Sequence, residues 1–163
     1  MVLNIIVVLA TFGMMEFVAW FTHKYIMHGL LWKVHFDHHR PHHGFFERND
    51  LFFLIFAIPC ALAFVFGNGE NGFTFLYFIG VGIALYGLAY FVVHDVFIHQ
   101  RFSFLKNSKN SYLLAIRKAH KIHHKYLSKA QGECFGLLIV PFKYFREAKA
   151  MNKQRMVSNP NES

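Results

Sequence analysis

The sequence has few charged residues and only two cysteines for a chain of its length. Charged residues make up 16% of the 163 residues, whereas 55% are hydrophobic and 21 are Phe. A soluble domain rarely contains so little charge and so much apolar material. The cysteines, Cys60 and Cys134, have no paired spacing, so we expect both to be reduced and packed; haem ligation by Cys134 is a remote alternative.

Charge is almost absent from three stretches, residues 2–22, 51–66 and 73–93, in which Glu16 is the one charged residue. As helices they would be roughly 31, 24 and 31 Å long, close to the roughly 30 Å of a bilayer core. The sequence therefore predicts three transmembrane helices.

Basic residues are confined to two blocks of the chain. All 17 Lys and Arg lie in residues 24–48 and 101–155, and the loop between the second and third apolar stretches carries only Glu70. Since Lys and Arg stay on the cytoplasmic side, both blocks are predicted to be cytoplasmic, in a cytoplasmic-membrane protein. The net charge of +8 thus indicates topology and attraction to lipid headgroups rather than a nucleic-acid partner.

Beyond the spans we predict one membrane-embedded domain, residues 1–148, followed by a polar, flexible tail, residues 149–163. An amphipathic helix is predicted over residues 112–129, capped by Asn110 or Ser111, with its lysines on one face. Residues 134–140 are apolar but too short to span, so we expect a re-entrant or interfacial segment, with a fourth span as the alternative. The predicted fold class is an all-α integral membrane protein of three to four transmembrane helices, with a cytoplasmic helical cap holding a histidine-rich dimetal site.

Ten of the 12 histidines form a repeated pattern at the predicted cytoplasmic ends of the helices. A pair spaced H-x4-H is followed by a triad spaced H-x2-H-H, and the set occurs twice. The ten are His23, His28, His35, His38, His39, His94, His99, His120, His123 and His124. On a helix the triad spacing places side chains on one face. A separation of five turns the direction by about 140°, so His23 and His28 would reach two ions, or Gly29 would mark an unwound helix.

Ten imidazoles suit two metal ions with about five ligands each, and imidazole binds Fe, Zn, Cu and Ni. A structural zinc site is usually built with thiolates, which this chain nearly lacks. Two irons beside lipid, with a position left open for O2, would activate O2 to attack a C–H bond. A lone histidine here would be an ordinary interfacial residue. His42 and His43 lie outside the repeat and are predicted to be surface residues.

Four carboxylates are candidates for supporting the ligands. Asp37, Asp95 and Glu133 could accept hydrogen bonds from ligand rings, or could be simply solvated or salt-bridged. Glu16 lies within the first span, seven residues before His23 and on nearly the same face. It is predicted to support the ligands or to contact a substrate cavity, the alternative being a protonated or water-bonded glutamate.

The four histidine boxes resemble those of the membrane-bound fatty acid hydroxylase superfamily. The surrounding segments MEFVAWFTHKYIMHG, FERNDLF, YFVVHDVFIHQRF, AHKIHHK and GECFGLL are similar to the β-carotene hydroxylases of bacteria, from about Met15 to Pro141. The resemblance implies a non-haem di-iron centre whose metal ligands are the ten box histidines. It implies O2-dependent hydroxylation of β-carotene at C3 of each β-ionone ring, giving cryptoxanthin and then zeaxanthin. It also implies electrons from a ferredoxin-type donor and its reductase.

Zinc can replace iron in a purified sample, so the metal in a preparation would not by itself identify the native metal. The expectation of iron comes from the family resemblance. No G-x-G-x-x-G motif follows a predicted strand, as binding of a dinucleotide would require, and the chain has no room for a flavin domain, so a separate reductant is expected. The alternatives are a related fatty acid or sterol hydroxylase, desaturase or ketolase. A metal transporter is less favoured, because its ligands would lie near mid-membrane.

Overall fold

The structure is a computed structural model that describes residues 1–40, 46–128 and 132–158. His42, His43 and Lys129 lie outside these residues, as does the end of the predicted tail. The elements in chain order are α1 (Val2–Phe21), a first π-segment (Thr22–Leu30), α2 (Trp32–His35), 3-10 turns (Phe36–His39 and Arg48–Phe52), α3 (Phe53–Gly67), β1 (Asn68–Gly69), β2 (Gly72–Phe73), α4 (Phe75–Tyr90), a second π-segment (Phe91–Ile98), α5 (Ser111–Lys125) and α6 (Phe142–Ser158).

Within the described residues, three continuous helices are long and apolar enough to cross a membrane: Val2–Leu30, Arg48–Gly67 and Phe75–Ile98. Each covers nearly all of one predicted span and extends past its histidine-bearing end. Their outer faces are apolar, with Leu9, Val65 and Leu88 all at least 60% exposed, as expected of surfaces that lipid covers. The prediction of an all-α integral membrane protein is confirmed, and three is the number of spans among these residues.

Helix α4 lies between α1 and α3, and two glycines on different faces of α4 permit the close approach. A Cβ atom added to Gly82 would lie 2.6 Å from the Thr11 side chain of α1, and one added to Gly80 would lie 3.2 Å from Ala63 of α3. Small residues let membrane helices pack without large side chains between them. At the far end a two-residue hairpin, β1 paired antiparallel with β2, connects α3 to α4.

Helix α5 begins where the sequence predicts it and ends earlier. The Asn110 side-chain oxygen accepts the backbone N–H groups of Tyr112 and Leu113 at 2.9 and 3.1 Å, which is a standard N-cap arrangement. The helix ends at Lys125 rather than at position 129, because Tyr126 adopts an extended conformation. This turn allows the Leu127 carbonyl to accept a hydrogen bond from His28 Nδ1 at 3.0 Å.

The polar C-terminal region contains a helix that the sequence patterns did not predict. Helix α6 runs from Phe142 to Ser158 and so crosses position 149, where we expected the chain to become flexible. Its buried residues Tyr144 and Ala148 pack against Ala115 and Ala119 of α5. Asn152 donates hydrogen bonds to the Lys109 carbonyl and the Ser111 hydroxyl, so α6 is held against the start of α5 beyond position 149. The domain boundary there stays a prediction.

Residues 134–140 form no helix, so a fourth span is absent from the described part of the chain. The segment lies against α1, where its backbone contacts Glu16. Irregular backbone at this depth is tolerated only where protein groups satisfy its N–H groups. The re-entrant or interfacial description of this stretch therefore fits the structure.

Candidate metal centre

The histidines of the repeated pattern converge in two groups at one end of the helices. Cluster A consists of His23, His28, His35, His39 and His123, and its ring nitrogens lie within 4.8 Å of one another. Four histidines of cluster B satisfy the same limit: His38, His94, His99 and His120. His124 completes cluster B, because its Nε2 atom lies 2.7 Å from that of His120. The role of these residues as ligands stays a prediction.

The two sequence repeats exchange one histidine each. Cluster A takes four histidines from the first repeat and His123 from the second, whereas cluster B takes His38 from the first repeat and four from the second. His38 and His123 occupy the same position, the middle one, in their respective triads. Clusters A and B are therefore built in the same way, each from four histidines of one repeat and the middle triad histidine of the other, and neither repeat forms a cluster alone.

The H-x4-H spacing is explained by π-helical winding. His23 and His28 lie in the first π-segment, and His94 lies in the second, which His99 directly follows. Hydrogen bonds there join residues five apart, as between His99 N–H and the His94 carbonyl at 2.9 Å. This winding brings residues five apart onto the same face. The ring centroids of His23 and His28 are 5.2 Å apart and those of His94 and His99 are 4.5 Å apart. The alternatives offered from ideal geometry were incomplete, because the helix is widened rather than unwound at Gly29.

Main-chain carbonyls orient three rings of cluster A. The Nδ1 atoms of His23, His28 and His123 donate to the carbonyls of Phe135, Leu127 and Glu133 at 2.9, 3.0 and 3.2 Å. A carbonyl oxygen only accepts, so each Nδ1 bears the proton and each Nε2 presents a lone pair toward the cluster. This is the tautomer that metal binding through Nε2 requires.

Side chains orient three further rings, and two of these partners were not predicted. His35 Nδ1 donates to Asn49 Oδ1 at 2.6 Å, and His38 Nδ1 donates to Glu47 Oε2 at 2.7 Å. His94 Nδ1 lies 3.5 Å from Asp95 Oδ2. The only sequence signal for Glu47 and Asn49 was the segment FERNDLF, which the family resemblance marked without assigning roles.

Of the four predicted carboxylates, Asp95 is the one that approaches a ring in the described structure. Asp37 accepts the Arg48 backbone N–H at 2.8 Å. The Glu133 carboxylate pairs with Lys143 and Tyr144, which hold its pKa below the usual range, and only its main-chain carbonyl reaches a histidine. Glu16 contacts backbone N–H groups and Tyr86 instead of a ring. In the described structure Asp37, the Glu133 carboxylate and Glu16 thus contact groups other than the histidine rings, and their role at the metal site stays a prediction.

An arginine that the sequence did not single out contacts the carboxylates beside cluster B. The Arg101 guanidinium lies 2.7 Å from Asp50, 3.3 Å from Asp95 and 3.5 Å from Glu47. Because Glu47 and Asp95 also contact rings of cluster B, Arg101 holds those two carboxylates in place and partly neutralises them.

The arrangement of lone pairs fits a bound cation. Nε2 of His23 lies 3.1 Å from Nε2 of His35, although both rings carry their proton on Nδ1 and neither can donate to the other. Nε2 of His28 and His123 are also 3.1 Å apart. Nitrogens that share an ion at about 2.1 Å and roughly right angles would be about 3.0 Å apart. In cluster B the buried Nε2 of His38 has no hydrogen-bond partner in the part of the chain that the structure describes, as expected of an atom that would bind a metal ion.

Burial keeps these rings neutral. It lowers the pKa of His39 to about 4 and of His124 to about 3, and lowers the pKa of His35 and His123 to about 2, from an ordinary value of 6.5. Neighbouring imidazoles lower these pKa values further. A neutral ring has a lone pair free, so the clusters are ready to bind metal at neutral pH.

A cavity adjoins both clusters. It is lined by Ala19, His23, Met27, Phe56, Tyr90, His94, His120, Phe135, Gly136 and Leu137. Its lining contains a ring from cluster A and two from cluster B, and the other residues are mostly apolar. An apolar molecule in this space would touch ligands of both clusters.

Comparison with known proteins identifies relatives over most of the chain. The model of the fatty acid hydroxylase family matches residues 8–143. A β-carotene hydroxylase of Pantoea ananas is 41% identical over 138 residues, covering 85% of this chain and 78% of that protein. The protein of the same name from Pseudescherichia vulneris is 41% identical over 139 residues, covering 85% and 77%.

A plant relative is longer. The chloroplastic β-carotene 3-hydroxylase of an Oncidium hybrid cultivar is 39% identical over 127 residues, covering 77% of this chain and 41% of the plant protein. No solved structure gives a significant match.

Proposed function

Because this chain belongs to the fatty acid hydroxylase family, we propose that it hydroxylates the β-ionone rings of β-carotene at C3, forming cryptoxanthin and then zeaxanthin. The reaction would use O2 and two iron ions bound by the ten histidines of clusters A and B. The observation that supports this most strongly is that two five-histidine clusters meet at a mostly apolar cavity between membrane helices. Carotenoid as the substrate rests on the names of the relatives.

Two histidine-bound iron ions would supply O2 activation and the insertion of one oxygen atom into a C–H bond. The protein's part is to hold neutral rings with Nε2 directed inward, through the carbonyl, Asn49 and Glu47 acceptors. Phe56, Phe135 and Leu137 line the cavity and would exclude water from the reacting end of the substrate. Each ring of β-carotene would be brought to the clusters in turn.

The second oxygen atom leaves as water, so each turnover consumes two electrons from outside. A ferredoxin-type donor and its reductase are proposed to supply them. The histidine end of the protein is proposed to face the cytoplasm. The described Lys and Arg residues lie at that end of the spans, whereas Glu70 is the one charged residue of the hairpin at the opposite end.

Expression in cells that make β-carotene tests the substrate and the reaction together. Products one and then two oxygen atoms heavier than β-carotene, without a carbonyl, are expected, and a His123→Ala variant should yield unaltered β-carotene. Carbonyl products would indicate a ketolase, and an additional double bond would indicate a desaturase.

A fatty acid or sterol hydroxylase is the second candidate, since the matching family model is named for fatty acids. It would be favoured by hydroxylated lipid and unchanged carotenoid in the same cells. Purified protein that moves metal into vesicles and oxidises none of these substrates would support the transporter alternative.

A further inference from the structure

Glu16 is a carboxylate in the first membrane helix whose partners are mainly backbone groups. It is 8% exposed. Its Oε1 atom accepts the N–H groups of three consecutive residues, Leu137, Leu138 and Ile139, each at 2.9 Å. Its Oε2 atom accepts the Tyr86 hydroxyl at 2.7 Å. Three successive N–H groups converging on one oxygen form an anion-binding concavity.

These contacts provide hydrogen-bond partners for both the Glu16 carboxylate and the backbone N–H groups at a depth where water is scarce. An unpaired carboxylate in a membrane span is costly, and so are backbone N–H groups of an irregular segment. The packing is also tight, because a Cβ atom added to Gly136 would lie 2.7 Å from Glu16 Oε1. Moving that oxygen would break three hydrogen bonds, so Gly136 is required for the contact.

The segment that Glu16 binds also contacts cluster A. The Phe135 carbonyl accepts from His23 Nδ1 at 2.9 Å, and the Glu133 carbonyl accepts from His123 Nδ1 at 3.2 Å. The Phe135 ring packs on His28 and His123 with centroids 5.2 and 5.0 Å away. Helix α1 and its π-segment therefore hold residues 133–139 at two points, Glu16 and His23.

The rings of cluster B receive their hydrogen bonds elsewhere. His38 and His94 approach Glu47 and Asp95, which do not belong to the 133–139 segment. A displacement of that segment would therefore change the acceptors of cluster A and leave those of cluster B in place.

We propose that Glu16 is a positioning residue for cluster A: by binding residues 137–139 it fixes the carbonyls that orient His23 and His123. The same contact fixes Phe135, Gly136 and Leu137, which form one wall of the cavity. The inference rests on the proposed metal site, but its test does not require turnover.

The test is the amount of ferrous iron bound per purified chain. Wild type is expected to hold about two ions, and Glu16→Leu about one, because loss of the support behind a ligand typically weakens metal binding about 10- to 100-fold. Glu16→Gln retains an acceptor oxygen and is expected to stay near wild type. Tyr86→Phe, the matched control, removes only the bond to Oε2 and should also stay near wild type.

Combination with ligand variants identifies which ion is lost. Added to His28→Ala, which disrupts cluster A, Glu16→Leu should remove no further ion; added to His120→Ala, it should remove most of the remaining iron. Should Glu16→Leu fail to accumulate, Gly136→Ala, which displaces the carboxylate while leaving it present, is expected to give the same pattern. Two bound ions in Glu16→Leu would overturn the proposal. Where Gly136→Ala replaces that variant, two bound ions in Gly136→Ala would do the same. Equal losses of iron in Glu16→Gln and Glu16→Leu would also overturn it. Wild type that binds two ions but hydroxylates nothing would refute the proposed function alone.

Discussion

Replacing His123 by alanine is expected to remove the ion of cluster A and to spare that of cluster B. His120→Ala, three residues earlier on α5, is expected to do the opposite. The reason is that His123 lies with four histidines of the first repeat in cluster A, while His120 lies in cluster B with His38 and the other histidines of the second repeat. Both rings are buried, at 0% and 6% exposure, so the two variants are matched in size and environment.

The magnitude follows from ligand number. Loss of one of five ligands should weaken binding by at least the upper end of the about 10- to 100-fold range seen when a ligand loses its supporting partner. At free iron about ten times the wild-type dissociation constant, occupancy would fall from about 90% to about 10% at the affected cluster. Iron would then fall from about 1.8 to about 1.0 ions per chain, and hydroxylation would be lost because both ions are needed.

Double variants make the assignment refutable. His28→Ala combined with His123→Ala should hold about as much iron as either single variant, about 0.9 to 1.0 ions per chain, since both residues belong to cluster A and that cluster is already nearly empty in each. His120→Ala combined with His123→Ala should hold about 0.2 ions per chain, because independent losses add. Iron analysis on detergent-purified protein, with helicity checked by circular dichroism, measures each value. If the second pair lost no more iron than one member alone, the two-cluster division would be wrong.

Three further predictions test the surroundings of the clusters. Glu47→Ala removes the acceptor of His38 Nδ1 and should weaken iron binding by about 10- to 100-fold at cluster B; the exposed hairpin variant Glu70→Ala is the control, and equal iron in both would contradict the role of Glu47. The metal-free protein should be less stable at pH 5 than at pH 8. Burial lowers the pKa of His39 in the folded state to about 4 from 6.5. The stability of the fold with this ring neutral is therefore full above pH 6.5 and falls as the pH drops toward 4. For His39 alone, the loss in the free energy of unfolding is about 2 kcal/mol at pH 5. A melting temperature unchanged between these pH values would count against this reasoning. Finally, His42→Ala should retain most β-carotene hydroxylation, because His42 lies outside the repeated pattern, and a large loss of product would mean that the site extends further.

Hydropathy and charge were sufficient to predict the membrane architecture. A transmembrane helix is identified by a long uncharged run, which is a local property, and each of the three structural spans covers nearly all of its predicted stretch. Helix α6 was missed because its sequence is polar and its stability depends on contacts of Tyr144 and Ala148 with α5. Such a helix has no long apolar face that a periodicity search would detect.

The spacing of the histidines predicted which residues would be candidates but not how they would be grouped. Ideal helix geometry argued against His23 and His28 sharing an ion, and the π-segment reverses that argument. The partners Glu47 and Asn49 are polar residues near the start of a span, which is a common place for polar residues, so nothing local marked them as supports for His38 and His35.

The sequence by itself determined that the chain is helical, that it crosses the membrane and that its ten box histidines lie at one end, because each of these follows from composition and order along the chain. Only the tertiary structure decided that His38 and His123 exchange between the repeats, that backbone carbonyls orient three rings, and that Glu16 binds residues 137–139. These features depend on contacts between segments up to 123 positions apart, and such contacts arise only when the helices pack together.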